Sequence, residues 1–237
     1  MQPLSYTALE GIKVDRPRDR IAQIEAHARD KRVFDLGALD ETAYAAKQDS
    51  GRWLHSRLCA VASEVVGIDN SALVPEQGLK TRPNGIIVNA DIFALSDSVA
   101  RYGRPDLIVV GELIEHLPDT LGFLRNLKAC PELQGVALVF STPNACSWHN
   151  LAIGLAGRES THPDHLQIYS YKTLRTLFDR AGIELQSLAP YGARFDEMID
   201  RSGAAGRVAV RSFQAGINLL EWLTPMLSAG WIGVARI

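Results

Sequence analysis

Residues 105–119 read PDLIVVGELIEHLPD. Leu107, Ile108, Val109 and Val110 run without interruption into Gly111-Glu112, and a helical stripe of Leu117, Leu121, Leu124 and Leu127 follows. An apolar run with no polar alternate is what a strand covered on both faces requires. The amphipathic helix behind it supplies one of those covers, and Asp119 stands where a carboxylate favours a helix N-terminus.

Working outward, the same alternation recurs. Apolar runs at 33–36, 65–68, 85–88 and 136–140 read as further buried strands. Leu54, Leu58, Val61, Ala62 and Val65 form one helical stripe between the first two. Ser170 is an N-cap for a helix whose buried face is Leu174, Leu177, Phe178 and Ala181, with Gly182 as its stop. A helix at 21–28 leads into the first strand. The tail reads as a strand at 183–188, a helix at 206–223 and a closing strand at 231–235. This order predicts an α/β doubly wound sheet. The chain is read as one domain: a helical lead-in at 1–30, a core at 31–188, and a C-terminal helix and closing strand at 189–237.

Composition narrows the function. Of 237 residues, 25 are Lys or Arg and 27 Asp or Glu, a net charge of -2. Without a basic field, bulk nucleic acid is not an expected partner. Cys59, Cys130 and Cys146 are far apart and in no C-x-x-C pair, which argues against a disulfide framework or a zinc ribbon and for a reducing, cytoplasmic location. No stretch reaches the ~20 apolar residues of a membrane span, and the first residues lack a secretory signal.

In an open α/β sheet the ligand lies outside the carboxyl ends of the strands. The residues there are Asp35 and Gly37 after the first strand, Asp69 and Asn70 after the second, Asp91 and Ile92 after the third, and Gly111 and Glu112 after the fourth. A carboxylate such as Asp69 offers two oxygens to the two hydroxyls of a ribose, and Asp91 is placed to accept from an exocyclic amine of a purine. The spacing points to a nucleoside-containing ligand. Two readings stay open for Asp35, contact with that ligand or capping of local backbone amides. The connections at 38–51 and 141–169 are long for a compact domain, and such loops are usually functional.

VFDLGALD, VVGIDNS, NADIFAL and PDLIVVGELIEHLPD, in this order, resemble the first four motifs of the class I S-adenosylmethionine-dependent methyltransferases of the small-molecule and glycan-modifying kind. ALVFSTPN and DHLQIYSYKTLRTLFDRAGIEL are similar to that family's fifth strand and downstream segment. The resemblance covers residues 30–188. It implies a seven-stranded sheet, mostly parallel with an antiparallel last strand, S-adenosylmethionine as cofactor, and Asp35, Gly37, Asp69, Asn70, Asp91, Ile92, Gly111 and Glu112 as its binding residues. One departure stands out: only Gly37 remains of the family's glycine-rich run, which here continues Ala38-Leu39-Asp40-Glu41. Asp69 also follows Asp35 by more than the ~20 residues usual in dinucleotide folds, so the loop holding Tyr44, Lys47 and Trp53-Leu54-His55 reads as an insertion.

His165 and His116 are the candidate acid–base groups, since an imidazole accepts a proton near neutral pH. Each has a plainer reading as pocket wall, as do His149 and His162. His162-Pro163-Asp164-His165 lacks a second spaced cluster, so no metal is assigned. Tyr169-Ser170-Tyr171-Lys172 fails the Tyr-x-x-x-Lys spacing of short-chain dehydrogenases. Trp148, Trp222 and Trp231 read as core or lid aromatics. The expected activity is methyl transfer to a hydroxyl of a small molecule or sugar-containing metabolite, with the acceptor enclosed by the 141–169 loop and the C-terminal helix. The alternative is a non-catalytic methyltransferase-like binding module in a biosynthetic complex. A homo-oligomer is compatible with either.

Overall fold

A computed structural model describes residues 10–39, 51–159 and 161–237; Tyr44 and Lys47 lie outside them. The strands are β1 (Arg32–Leu36), β2 (Glu64–Asp69), β3 (Leu79–Arg82), β4 (Gly85–Asn89), β5 (Leu107–Gly111), β6 (Ala137–Pro143), β7 (Glu184–Tyr191) and β8 (Gly230–Arg236). They form one sheet in the order β3-β4-β2-β1-β5-β6-β8-β7. β1, β2, β4, β5 and β6 pair in parallel, and β8 is antiparallel to both β6 and β7. β7 therefore runs with the parallel set, as expected for six parallel strands and an antiparallel closing one. The addition is β3, an antiparallel edge strand on β4. Its sequence, LKTR, has no apolar run because an edge strand half open to water needs none.

Helices cover both faces. Phe34, Leu36, Val66, Ile68, Ile108, Val110, Leu138 and Phe140 point to one side. There they meet α3 (Leu95–Tyr102), α4 (Thr120–Ala129) and α6 (Tyr171–Ala181) through Val99, Phe123, Leu127, Leu174 and Phe178. Val33, Val65, Leu107, Val109 and Val139 point to the other and meet Ile24 of α1 (Arg20–Ala28) and Leu58 of α2 (Leu54–Val61). Unbroken apolar strands are thus the consequence of two covered faces.

The helix ends follow local chemistry. Asp119 accepts from the Gly122 N–H at 2.8 Å, and Ser170 and Thr173 form a reciprocal capping box at α6. Gly182 ends α6 at φ 71°, a left-handed position that suits a residue without Cβ. α5 (Trp148–Leu155) lies in the 141–169 connection. Trp148, Leu151, Ala152 and Leu155 stand at helical spacing on it, yet none of its residues is fully buried and Leu151 and Leu155 are exposed. α7 (Asp196–Arg201) and α8 (Ala204–Leu223) precede β8. Among the described residues, no helix is long and apolar enough to cross a membrane.

Strand order reverses at β1, with β2 on one side and β5 on the other. The crevice between the ends of β1 and β5 is the switch point where such sheets bind ligands.

Candidate active site

Gly37 leaves β1 at φ 68°, with its N–H donating to the Ile68 carbonyl at 2.9 Å. A Cβ there would come within 2.8 Å of Leu113 Cδ1, so the turn after β1 touches the turn after β5. Asp69 ends β2, 8% exposed. Its Oδ2 accepts from the Leu39 N–H at 2.8 Å and its Oδ1 from the Ser71 N–H at 2.9 Å. Asn70 and Asp91 are exposed, and Asp91 accepts from the Phe93 N–H at 2.8 Å. Ile92 lines a cleft of about 220 Å³ with Phe93, Leu127 and Cys130. These residues stand along one carboxyl edge of the sheet, as their positions after parallel strands dictate.

Asp35 is different. It is 2% exposed and its Oδ2 lies 3.0 Å from His55 Nδ1, while His55 Nε2 lies 2.9 Å from Thr81 Oγ1. Burial lowers the His55 pKa, but Asp35, with Cys59 beside it, more than offsets this and raises it to about 9. Trp53, next to His55 but one, donates from Nε1 to the Ala38 carbonyl at 2.8 Å. The Trp53-Leu54-His55 segment therefore folds onto the turn that carries Gly37, and of the two readings of Asp35 the geometry gives a third, a buried partner for an imidazole.

At the other side of the switch point, Glu112 is held at φ 53°. It accepts from the Tyr191 hydroxyl at 3.0 Å and lies 3.7 Å from Arg20 Nη1. Arg20 also donates to Ser141 Oγ at 3.2 Å. Burial, then the Glu112 charge, pushes the Tyr191 hydroxyl well above its usual pKa. Arg20, Ser141 and Tyr191 escaped the sequence reading because they come from α1, β6 and β7 and meet only in the fold. Gly111 is packed against Leu54, whose Cδ2 would lie 2.5 Å from a Cβ there.

Glu115 is 1% exposed, and its Oε2 accepts from Thr142 Oγ1 at 2.9 Å. Burial, with the charge of Glu112 added, raises its pKa to about 8. Its backbone carbonyl accepts from the N–H groups of Leu166 and Gln167 at 2.9 and 3.1 Å, which fixes the segment carrying His165 to the turn carrying His116. The two imidazoles meet edge to face with centroids 4.6 Å apart. Burial, then His116 and His162, lowers the His165 pKa. The fold brings these two separately named candidates side by side and adds Glu115, whose side chain is held by Thr142 of β6.

Beside this pair a cleft of about 290 Å³ is lined by His149, His162 and His165 with Trp148, Thr161 and Phe195. Its far wall is Ala193, Phe195 and Ala229. α8, expected to close it, acts through Glu221 instead, which accepts from the N–H groups of Ala193 and Ala229 and from Trp148 Nε1. The loop's ends are pinned. Ala145 N–H donates to the Tyr169 carbonyl at 2.9 Å, and the buried Asn144 donates from Nδ2 to the carbonyls of Met226 and Ser228, each at 2.9 Å. Trp231 is fully buried, and Trp222 is half exposed under Arg16.

A model of the methyltransferase-domain family matches residues 11–188. The chain belongs to this family. Its fold is shared with the SAM-dependent methyltransferase of Archaeoglobus fulgidus, at 15% identity and TM-score 0.52 over 92% of this chain and 91% of that one. The small RNA methyltransferase HEN1 is similar at 15% identity and TM-score 0.54, over 92% of this chain and 24% of that one. The [4+2]-cyclase SpnF matches at 16% identity and TM-score 0.50, over 92% and 80%. No curated protein matches the sequence. Along the carboxyl edge Asp69 holds the Leu39 and Ser71 amides, and Gly37 brings backbone to the switch point.

Proposed function

We propose that the protein transfers the methyl group of S-adenosylmethionine to a hydroxyl of a small molecule or sugar-containing metabolite seated in the cleft of about 290 Å³. The observation that carries this reading is the His116–His165 pair, which stands between that cleft and the ends of β5 and β6. Asp69 would accept from the ribose hydroxyls, Asp91 and Ile92 would read the adenine, and Asn70, Gly37, Gly111 and Glu112 would complete the donor side. Asp35 is engaged by His55, and Trp53 holds the turn after Gly37 through the Ala38 carbonyl. The donor supplies an electrophilic methyl; the chain's part is alignment of the acceptor oxygen within a few ångströms of it, worth several kcal/mol of the barrier. His165, kept neutral at pH 7 by its lowered pKa, would take the hydroxyl proton, with His116 beside it.

Calorimetry with S-adenosylhomocysteine, and transfer of labelled methyl from S-adenosylmethionine to a panel of hydroxylated acceptors, test this. His165→Ala should leave the first nearly unchanged and lower the second by ~100-fold or more. Label appearing only in amine acceptors would overturn the hydroxyl assignment. Tight binding with no acceptor labelled would favour the non-catalytic module.

A further inference from the structure

We propose that Glu115, His116 and His165 form a binding site for one divalent first-row transition cation. One donor atom from each of the three residues lies within 4.8 Å of the others, so a cation between them would draw them together by small side-chain rotations. An independent observation points the same way. Glu115 Oε1 is buried without a hydrogen-bond partner among the described residues, although Oε2 is satisfied by Thr142. A buried carboxylate oxygen left unpaired is costly, and a cation removes that cost.

The surroundings are those of a supported site. His116 Nδ1 lies 3.2 Å from the Asp164 carbonyl, an arrangement that fixes the proton on Nδ1 and leaves Nε2 to ligate. The Leu166 and Gln167 N–H bonds to the Glu115 carbonyl hold the His165 segment in register with the other two ligands. Glu112 is committed to Arg20 and Tyr191 and is not part of the set.

Two imidazoles and one carboxylate suit Mn²⁺ through Zn²⁺ better than Mg²⁺ or Ca²⁺, which favour all-oxygen sets. Three protein ligands leave coordination positions open toward the cleft. In a role that rests on the methyl-transfer reading, an acceptor hydroxyl in that position would lose its proton more readily, and His165 would then serve as ligand and not as base.

The test is titration of chelator-treated protein with Co²⁺, followed by its visible ligand-field absorption, and with Zn²⁺ by calorimetry. One equivalent should bind. His165→Ala and His116→Ala should each weaken binding by about 10–100-fold, while His149→Ala, which alters the cleft wall only, should not. Absence of one-equivalent binding, or equal affinity in the His165→Ala protein with its thermal transition intact, would overturn the site. S-adenosylhomocysteine calorimetry on the same samples separates the two readings. Donor binding without cation binding removes only the cation site and returns His165 to the role of base. Cation binding without donor binding removes the methyl-transfer reading and leaves the site standing.

Discussion

His55 Nδ1 lies 3.0 Å from Asp35 Oδ2 in a fully buried position between β1 and α2. With the hydroxyl of Thr81 on its other nitrogen, the ring is positioned for a charged, doubly donating form.

The pH dependence of stability follows from that pair. His55 is raised to about 9 in the folded protein against 6.5 for the free side chain. Its contribution is therefore fully present below pH 6.5 and is lost as pH rises toward 9, a change on the order of 3 kcal/mol. Urea unfolding of the native protein should show midpoints falling across that window, and the His55→Gln profile should be flatter. Parallel profiles would mean that the imidazole is neutral throughout.

Asp69 supports two turns and is assigned to the donor's ribose, and the two roles separate by substitution. Asp69→Asn keeps one acceptor oxygen for the Leu39 or Ser71 amide. It should weaken S-adenosylhomocysteine binding by roughly 1.5–3 kcal/mol, as expected for a lost charged acceptor. The thermal transition should drop by only a few degrees. Unchanged calorimetric affinity removes Asp69 from the donor site.

Gly37→Ala tests the contact between the turns after β1 and β5. The left-handed backbone costs an alanine ~1–2 kcal/mol, and the 2.8 Å approach to Leu113 Cδ1 adds a steric penalty. Leu113→Ala in the same chain should recover the steric part alone. Full recovery in denaturant titrations would show that the backbone angle is not a constraint.

Tyr191→Phe removes the hydroxyl that Glu112 accepts from at 3.0 Å. A hydrogen bond to a charged acceptor is worth roughly 1.5–3 kcal/mol, so urea unfolding should register a loss of that order. A change below about 0.5 kcal/mol would mean that Arg20 alone satisfies the carboxylate.

The parts of the fold legible in the sequence were those under a single physical demand. Leu107–Gly111 lies between two covered faces, and its uninterrupted apolar run says so. β3 lies half in water, and its alternation of Leu79 and Thr81 with Lys80 and Arg82 is only four residues long, too short to stand out. α5 has apolar residues at helical spacing, Trp148, Leu151, Ala152 and Leu155, but at eight residues it is too short to stand out within a long connection. At the site, the carboxyl-edge row was legible because position after a strand is itself the signal. His55, Arg20 and Glu115 were not, because each acquires its role from a partner that only folding brings near: Asp35 twenty positions away, Ser141 on another strand, Thr142 on β6.

The pinning of the 145–168 excursion by Asn144 and Tyr169 has an architectural consequence. Its two ends are joined by hydrogen bonds to each other and to the residues before β8, and just inside them Trp148 is held by Glu221 and Leu166 and Gln167 by the Glu115 carbonyl. The entropy of closing a loop grows only with the logarithm of its length, about 0.6 kcal/mol per doubling. The stretch between these fixed points thus behaves as an exchangeable cartridge: with Trp148 and residues 164–168 kept, a graft of different length or sequence would reshape the cleft beside His165 while the carboxyl edge of β1, β2 and β4 stays as it is.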